Sequence, residues 1–423
     1  MKNILATSRR LGRSPSLGRF AVVAFAAAAV VLPFLFPAGS PFIDDCVLAL
    51  AYIVMALGLN IIVGYAGLLD LGYVAFFAIG AYTIGWLGSG FFFGANGGGG
   101  IHLFVSEPLT SAPGIHLTFP AILVFAVVFT VVAGMAIGLP TLRLRGDYIA
   151  IVTLAFGEII GRLAINGDEV NVGRVWDRTA GALPLVPGIG DEARLTAGRR
   201  GITPVDRIDL PGLPRFGALD LRPWYFTILA LVGVAIFVNW RLRDSRHGRA
   251  WIALREDEVA AASMGIPLVR TKLLAYGVGA AFGGVSGAFL GSYLNTVNAD
   301  QFQFQFSIFI LAMVVLGGLG SAKGVIVGAI ALAFLNSFLI PDVINTLPDR
   351  LGFDFDFTRV SFGIFGFLLV IMMVLRPEGL LPERRRQLEL RGIADSEVMP
   401  PESEPQPARG RDALEPEPAG SGT

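Results

Sequence analysis

Chemically reactive side chains are scarce in this sequence of 423 residues. Its one cysteine, Cys46, excludes an internal disulfide and argues against a metal site built from thiols. The three histidines, His102, His116 and His247, show no metal-ligand spacing. The sequence therefore predicts no metal site.

Signatures of catalysis and nucleotide binding are missing too. The chain contains neither a GxxxxGKS or GxxxxGKT phosphate loop nor a GxSxG nucleophile elbow. We therefore predict no catalytic residues, no enzyme activity and no cofactor bound by this chain.

Charge is equally sparse, at 16% of residues, and the formal net charge is zero, which gives no indication of a nucleic-acid partner. Hydrophobic residues make up 54% of the chain, and the mean hydropathy is +0.65. Glycine is abundant, with 53 residues, but it has no collagen period. This composition is typical of a helical membrane protein that crosses the bilayer several times.

Apolar runs of roughly 18–22 residues recur along the chain and predict an all-α fold of about ten transmembrane helices. We place the transmembrane domain at 20–380, with spans at 20–36, 46–64, 68–88, 119–140, 147–165, 223–240, 271–294, 304–320, 323–340 and 358–375. The segments 68–88 and 304–320 are open to a second interpretation, as re-entrant or broken helices. Residues 20–36 are interpreted as a first span rather than a cleaved signal peptide.

Charges flanking the spans predict the orientation, because cytoplasmic loops are enriched in lysine and arginine. Residues 1–19 carry five basic residues and no acid, so we expect a basic cytoplasmic N-terminus. The segments 89–118 and 166–222 then become long outside loops. The tail, 383–423, is rich in proline, glutamate, arginine and glycine, and we expect it to be disordered and cytoplasmic.

A charged segment at 241–270 interrupts the apolar runs and must lie at the membrane surface. Good helix formers from Arg249 to Met264 predict one rod of about 24 Å, closed by a left-handed cap at Gly265 and ended by Pro267. Its small residues and exposed charges predict a surface that seats in a groove of another protein, built from Arg255, Glu256, Asp257, Glu258, Ala261 and Gly265. The alternative is a loop that only fixes the topology.

Three polar residues lie within apolar runs and are candidates for the lining of a substrate pathway. Asn60 and Asp70 lie among closely spaced glycines in the stretch 57–86, which predicts either close helix packing or a broken-helix junction. Glu158 lies roughly 16 Å into its span, where a carboxylate costs ~2.5–3.5 kcal/mol. It should therefore face the bundle interior or water, either in the pathway or in a structural pair, for example with Arg162 one turn later.

The order of Glu258, Ala260, Ala261, Ala262 and Gly265 resembles the EAA loop by which permeases of ATP-binding-cassette (ABC) importers dock on their ATPases. Further blocks resemble the LivM family of branched-chain amino acid permeases: AGLLDLGYVAFFAIGAY (66–82), LPTLRLRGDYIAIVTLAFGEII (139–160), GRAWIALREDEVAAASMGI (248–266) and FILAMVVLGGLGSAKGVIVGA (309–329).

The resemblance implies one half of an import pore in a bacterial plasma membrane, driven by alternating access. A second homologous permease, two cytoplasmic ABC ATPases that bind the ATP, and an external substrate-binding protein would be separate chains. Within the enlarged loop, TAGALPLVPGIG (179–190) departs from the family pattern. The expected substrates are leucine, isoleucine and valine; urea, amides or other amino acids are alternatives.

Two other classes of protein stay open at the level of sequence. In an ion-coupled secondary transporter, Glu158 or Asp70 would carry a proton or a sodium ion. In a passive channel or scaffold, the glycine-rich spans alone would suffice.

Overall fold

The computed structural model describes residues 24–105, 112–142, 144, 147–174, 176, 189, 192–209, 215–344, 361–376 and 379–381. The predicted basic N-terminus, 1–19, and the predicted disordered tail, 383–423, lie outside the described residues. The same holds for parts of the predicted outside loops and of the span 358–375.

Helices dominate the described part of the chain. The helices of the first half are α1 Ala24–Phe34, α2 Pro41–Leu59, α3 Val74–Leu87, α4 Phe119–Thr141, α5 Asp147–Asn166 and α6 Arg222–Arg243. Those of the second half are α7 Arg246–Glu256, α8 Glu258–Ser263, α9 Leu268–Tyr293, α10 Phe304–Gly317, α11 Ala322–Phe334 and α12 Ser361–Leu375. Helices α2 and α11 continue without a break as π-helical turns, at Asn60–Tyr65 and Leu335–Ile344.

Six helical segments are long and apolar enough to cross a membrane: Pro41–Tyr65, Phe119–Thr141, Tyr148–Asn166, Arg222–Arg243, Leu268–Tyr293 and Ala322–Pro341. Four shorter apolar helices accompany them: Ala24–Phe34, Val74–Leu87, Phe304–Gly317 and Gly363–Leu375. These segments define a multi-pass helical membrane protein. The number of ten complete spans stays a prediction.

The predicted span 68–88 is shorter than the sequence suggested, because its helix begins only at Val74. Fourteen residues of helix rise about 21 Å, less than the ~30 Å of a hydrocarbon core. The preceding residues, Ala66–Tyr73, have no regular structure. The interpretation as a broken helix therefore describes this segment better than a continuous span.

A small β-sheet corrects the prediction of an entirely α-helical chain. The strands β1 Gly88–Ser89, β2 Ile101–Leu103 and β3 Ile115–Leu117 form a sheet in the order β1-β3-β2. β1 pairs antiparallel with β3, and β2 pairs parallel with it. The sheet arises within the glycine-rich loop 89–118, whose strands are too short for a period-two pattern to be visible in the sequence.

Helix α9 lies at the centre of the bundle, and most of its residues are buried. Glycines allow its neighbours to approach closely: a Cβ at Gly80 of α3 would overlap the Gly284 carbonyl, and a Cβ at Gly287 would overlap the Phe77 carbonyl. Close backbone approach on small residues is a standard packing mode between membrane helices. The interpretation of these glycines as packing positions is confirmed here.

The same helix joins two polar regions at opposite ends of the bundle. Near its start, the Thr271 carbonyl accepts a hydrogen bond from Trp251 of α7, and Lys272 donates one to Glu258 of α8. Near its end, the Ser292 hydroxyl donates to the Asp206 carbonyl at 2.7 Å. Lys272 and Ser292 are 20 residues apart on α9, so the helix separates these regions by a rise of about 30 Å.

Candidate functional site

The charged segment forms two helices, and the predicted single rod from Arg249 to Met264 is wrong. The break is at Asp257, whose φ of −154° and ψ of 114° are extended. Its carboxylate accepts the Val259 and Ala260 N–H groups at 2.8 and 3.0 Å and so caps α8. Aspartate is among the best N-cap residues, and here that preference prevails over helix continuation.

The predicted cap at Gly265 is confirmed. Gly265 has a φ of +82°, its N–H donates to the Ala262 carbonyl at 2.9 Å, and the Ile266 N–H donates to the Ala261 carbonyl at 3.1 Å. These two bonds form a Schellman motif, in which a left-handed residue satisfies the last carbonyls of a helix. Pro267 then precedes the first residue of α9.

Three side-chain bonds attach the charged segment to the transmembrane bundle. Trp251 Nε1 donates to the Thr271 carbonyl at 2.9 Å, and Arg255 Nη1 donates to the Gly64 carbonyl at 2.7 Å. Lys272 Nζ donates to Glu258 Oε1 at 2.7 Å, and the Lys272 side chain is only 3% exposed. Movement of this segment would therefore act directly on the helices below it.

These bonds change the roles expected of the coupling residues. Arg255 is exposed as predicted, although its guanidinium also bonds to the Gly64 carbonyl. Glu258, predicted as part of the outward surface, bonds to the bundle, and Ala261 is buried. The surface left outside is partly apolar: Val259 is 63% exposed and Met264 83% exposed. Glu256, Asp257 and Gly265 are exposed as predicted. An exposed apolar patch with a charged rim is typical of a protein-binding surface.

Asn60 lies where α2 changes from α-helix to π-helix, and it is completely buried. Its Oδ1 accepts the Gly320 N–H at 2.9 Å, whereas its Nδ2 has no hydrogen-bond partner among the described residues. One turn later, Gly64 presents its carbonyl to Arg255. A π-turn inside a membrane helix often marks a functional position, and this one touches both the charged segment and the loop before α11.

Asp70 lies in the nonhelical segment Ala66–Tyr73 and is 2% exposed. Its Oδ1 accepts the Gly72 N–H at 2.8 Å, and its Oδ2 has no partner among the described residues. Polar groups of neighbouring helices satisfy the backbone on either side: Thr153 Oγ1 accepts the Leu71 N–H, and Ser307 Oγ accepts the Val74 N–H, both at 3.0 Å. Nonhelical backbone at this depth requires such partners.

Glu158 lies apart from the other two pathway candidates. It is on an exposed face of α5, so of the two surroundings expected for it, the bundle interior or water, it does not face the interior of its own bundle. The suggested pair with Arg162 is also wrong, because no ion pair joins these two described residues. The opposite face of α5 is the buried one, where Gly157 packs on Gly72.

A second polar cluster lies at the other end of the bundle. His116 Nδ1 bonds to Asp206 Oδ2 at 2.6 Å, and Arg215 Nη2 lies 3.5 Å from Asp206 Oδ1. The cluster borders a cavity of about 570 Å³ that is also lined by Arg207 and Asn295. It links strand β3 to the loop before α6.

Sequence reasoning missed several residues that hold these sites together. Lys272 follows Glu258 by fourteen residues, well beyond the i+4 spacing at which a helical pair is recognisable. Asn239 accepts the Tyr65 hydroxyl at 2.6 Å and donates to the Leu57 carbonyl at 3.1 Å. A lone asparagine in the apolar run of α6 was a visible signal. The pair of His116 and Asp206, which are 90 residues apart, left no such signal in the sequence.

The described structure combines a long central helix, a broken-helix junction and a charged segment that is bonded to one end of the bundle. Together these features indicate a helical bundle of the membrane-transport type. Residues 44–373 match the family model described as the branched-chain amino acid transport system / permease component. The chain belongs to this family of permease components.

Individual relatives agree with the family match. The chain is 36% identical over 379 residues to the high-affinity branched-chain amino acid transport system permease protein LivM of Escherichia coli K12, covering 88% of this chain and 77% of the relative. It is 25% identical over 346 residues to the probable LivM permease of Methanocaldococcus jannaschii, covering 79% and 91%. The LivH permease of Escherichia coli K12 is 28% identical over 158 residues, covering 37% and 46%. No solved structure matches the chain.

Proposed function

We propose that this chain is one half of the pore of an ATP-driven importer for leucine, isoleucine and valine. A homologous permease forms the other half, two cytoplasmic ATPases bind and hydrolyse ATP, and an external binding protein delivers the substrate. Ten spans with both termini in the cytoplasm of a bacterial cell fit this assignment. The permease family and the relatives named for branched-chain amino acid transport support it.

One structural observation carries the proposal: the segment formed by α7 and α8 is bonded to the bundle on its inner side and presents an apolar patch outward. The inner bonds are those of Trp251, Arg255 and Glu258. The outer patch contains Val259 and Met264. A segment that only fixed the topology would need neither feature, whereas a segment pushed by a partner needs both.

The mechanism follows from where the inner bonds end. When ATP closes the two ATPases, the displaced segment pulls on the Gly64 carbonyl through Arg255 and on α9 through the ion pair of Glu258 with Lys272. The π-turn at Asn60–Tyr65 receives this force beside the nonhelical segment that holds Asp70. The first element is an irregular helical turn and the second is nonhelical, which suits alternating access because transporters commonly build their substrate sites from interrupted helices. Asn60 and Asp70 are the pathway residues inside this chain in this proposal, and Glu158, on the outer face of α5, would reach the pathway only where the two halves of the pore meet.

Asp70 also supports a second candidate, an ion-coupled transporter. Its Oδ2 is buried without a partner among the described residues, and ionisable groups inside membranes often carry protons or ions. The charged segment would then be a passive surface loop.

Reconstitution of the complete importer in sealed vesicles separates the two candidates. We expect uptake of radiolabelled leucine to require ATP and to be insensitive to collapse of the proton and sodium gradients. Uptake that continues without ATP but stops when a gradient is collapsed would overturn the importer assignment. Calorimetry of the partner binding protein with leucine, isoleucine, valine and urea tests the substrate, with urea expected not to bind.

A further inference from the structure

The outward face of α5 carries polar groups in a regular pattern. Exposed residues recur every three or four positions along it and form what we term the α5 outer stripe: Tyr148, Ile151, Ala155, Glu158, Arg162 and Asn166. This spacing places them on one face of a helix. Neither Glu158 nor Arg162 has a hydrogen bond or an ion pair to another described residue.

Other outward faces of the bundle provide an internal comparison. The exposed large side chains of α4 are apolar and include Val124, Val128 and Val132. Those of the middle of α6, such as Val234 and Phe237, are apolar as well, as are those of α12 from Phe367 onward. Such faces suit lipid. Among these outward faces in the described part of the chain, the α5 outer stripe alone sets a carboxylate, Glu158, near the middle of its helix, with a guanidinium, Arg162, one turn closer to the helix end.

We infer that the α5 outer stripe is the surface that packs against the homologous permease subunit, whose polar groups meet Glu158 and Arg162. Lipid tails offer no hydrogen bonds, so unpaired charges at this depth face protein or water rather than lipid. Two residues of the stripe, Tyr148 and Arg162, fit the same conclusion, because tyrosine and arginine are enriched in protein interfaces.

A homologous subunit is the occupant that fits best, and this part of the argument rests on the proposed function. The chain resembles two permeases of one organism, LivM and LivH of Escherichia coli K12. A transport system with two related permeases needs a contact between them at membrane depth. A protein neighbour can offer polar partners to charges of both signs within the span, whereas the hydrocarbon tails of lipids offer none.

Site-specific photo-crosslinking in native membranes tests the inference. The photoreactive residue p-benzoylphenylalanine replaces Ala155 in cells that express the whole importer, and Val132 of α4 serves as the control. Val132 lies nine residues before the end of α4, and Ala155 lies eight residues after the start of α5, so both sit about 12–14 Å from neighbouring helix ends. We expect an adduct with the homologous permease from Ala155 and none from Val132.

Three results would overturn the inference: adducts from Ala155 with lipid alone, with a second copy of this chain, or with nothing while leucine uptake is normal. ATP-driven uptake measured on the same membranes keeps this test separate from the proposed function. Normal uptake without the adduct rejects only the interface. An adduct without ATP-driven uptake rejects the importer and retains the interface.

A second variant probes the charges without relying on a crosslink. Glu158→Leu makes the stripe more lipid-like, so a face in contact with lipid would tolerate it and the chain would insert as before. We expect instead unchanged insertion of this chain with loss of most of the co-purifying homologous permease. Ile159→Leu, at the adjacent position, is the matched control and should co-purify normally. Full co-purification of the Glu158→Leu variant would count against the interface.

Discussion

Lys272 is a buried charged residue whose counter-ion is Glu258. Its side chain is 3% exposed, and its ammonium group bonds to Glu258 at 2.7 Å. A buried ammonium group without a counter-ion is strongly unfavourable, so each residue of the pair fixes the other. The pair also joins α8 to α9, the central helix of the bundle. This ion pair is one of the three side-chain bonds that hold the charged segment on the bundle.

Reversal of the charge at position 258 should therefore destabilise this end of the protein. We expect Glu258→Lys to cost about 3 kcal/mol, because it leaves Lys272 buried beside a second ammonium group. Thermal unfolding in detergent, together with co-purification of the ATPases, measures the effect.

The double variant Glu258→Lys/Lys272→Glu restores the opposite charges and should recover most of the loss. Ala262→Lys, an exposed position of the same helix, controls for the added charge alone. If Glu258→Lys unfolded like Ala262→Lys, the ion pair would not be what holds the segment.

At the scale of elements, the charged segment depends on its two caps. Asp257 ends α7 and begins α8, and Gly265 ends α8 in the left-handed conformation. The Schellman bonds at Gly265 turn the chain sharply toward α9, so that Lys272 returns to face Glu258. A longer rod would carry the apolar patch away from the bundle, to which the proposed mechanism has it transmit force.

We expect Gly265→Pro to abolish association with the ATPases. Proline removes the N–H that bonds to Ala262 and fixes φ near −65°, whereas the native φ is +82°. Pull-down of the ATPases from membranes that contain equal amounts of each variant measures the loss.

Two milder substitutions of Gly265 should reduce association with the ATPases less than proline does. Gly265→Asn should retain association, since asparagine tolerates the left-handed conformation, and no other atom would contact its Cβ. Gly265→Ala should cost about 1–2 kcal/mol for the same conformation. Equal association of the proline and asparagine variants would show that the cap is not needed for docking.

At the scale of the whole molecule, α9 connects two polar ends that respond to different partners and conditions. One end holds the segment that faces the proposed ATPases. At the other, His116, Asp206 and Arg215 bind strand β3 to the loop before α6. Burial lowers the pKa of His116, but its hydrogen bond to Asp206 and the negative charge of that carboxylate raise the pKa by more, so it lies above the ordinary 6.5.

This pKa predicts a pH dependence of stability. A raised pKa means that the folded protein binds the proton more tightly than the unfolded chain does. The pair of His116 and Asp206 therefore contributes fully to the free energy of unfolding below about pH 6.5, the ordinary histidine pKa. This contribution disappears as the pH rises through the higher pKa that His116 has in the folded state.

Thermal unfolding of the purified protein across a range of pH that starts below 6.5 should show a decrease in stability as the pH rises above 6.5, and this decrease should be absent from His116→Gln and from Asp206→Asn. We expect the loss to be at most about 1.5 kcal/mol, the value of one charged hydrogen bond. A wild-type curve parallel to that of His116→Gln would contradict the role of the histidine.

The amino-acid sequence by itself determined the helical membrane class, the place of the charged segment and the cap at Gly265. Those features depend on local composition, which sets hydrophobic length and the preference of glycine for positive φ. The blocks around 66–82 and 248–266 also sufficed to indicate the family, which the match over residues 44–373 confirms.

Only the tertiary structure decided which side each polar residue faces. Asp257 broke the expected rod because capping competed with helix propensity, and Glu158 faced outward because packing of Gly157 on Gly72 set the rotation of α5. The pairs of Glu258 with Lys272 and of His116 with Asp206 join residues 14 and 90 positions apart. Such contacts depend on how helices fold back on one another, and no local pattern in the sequence records them.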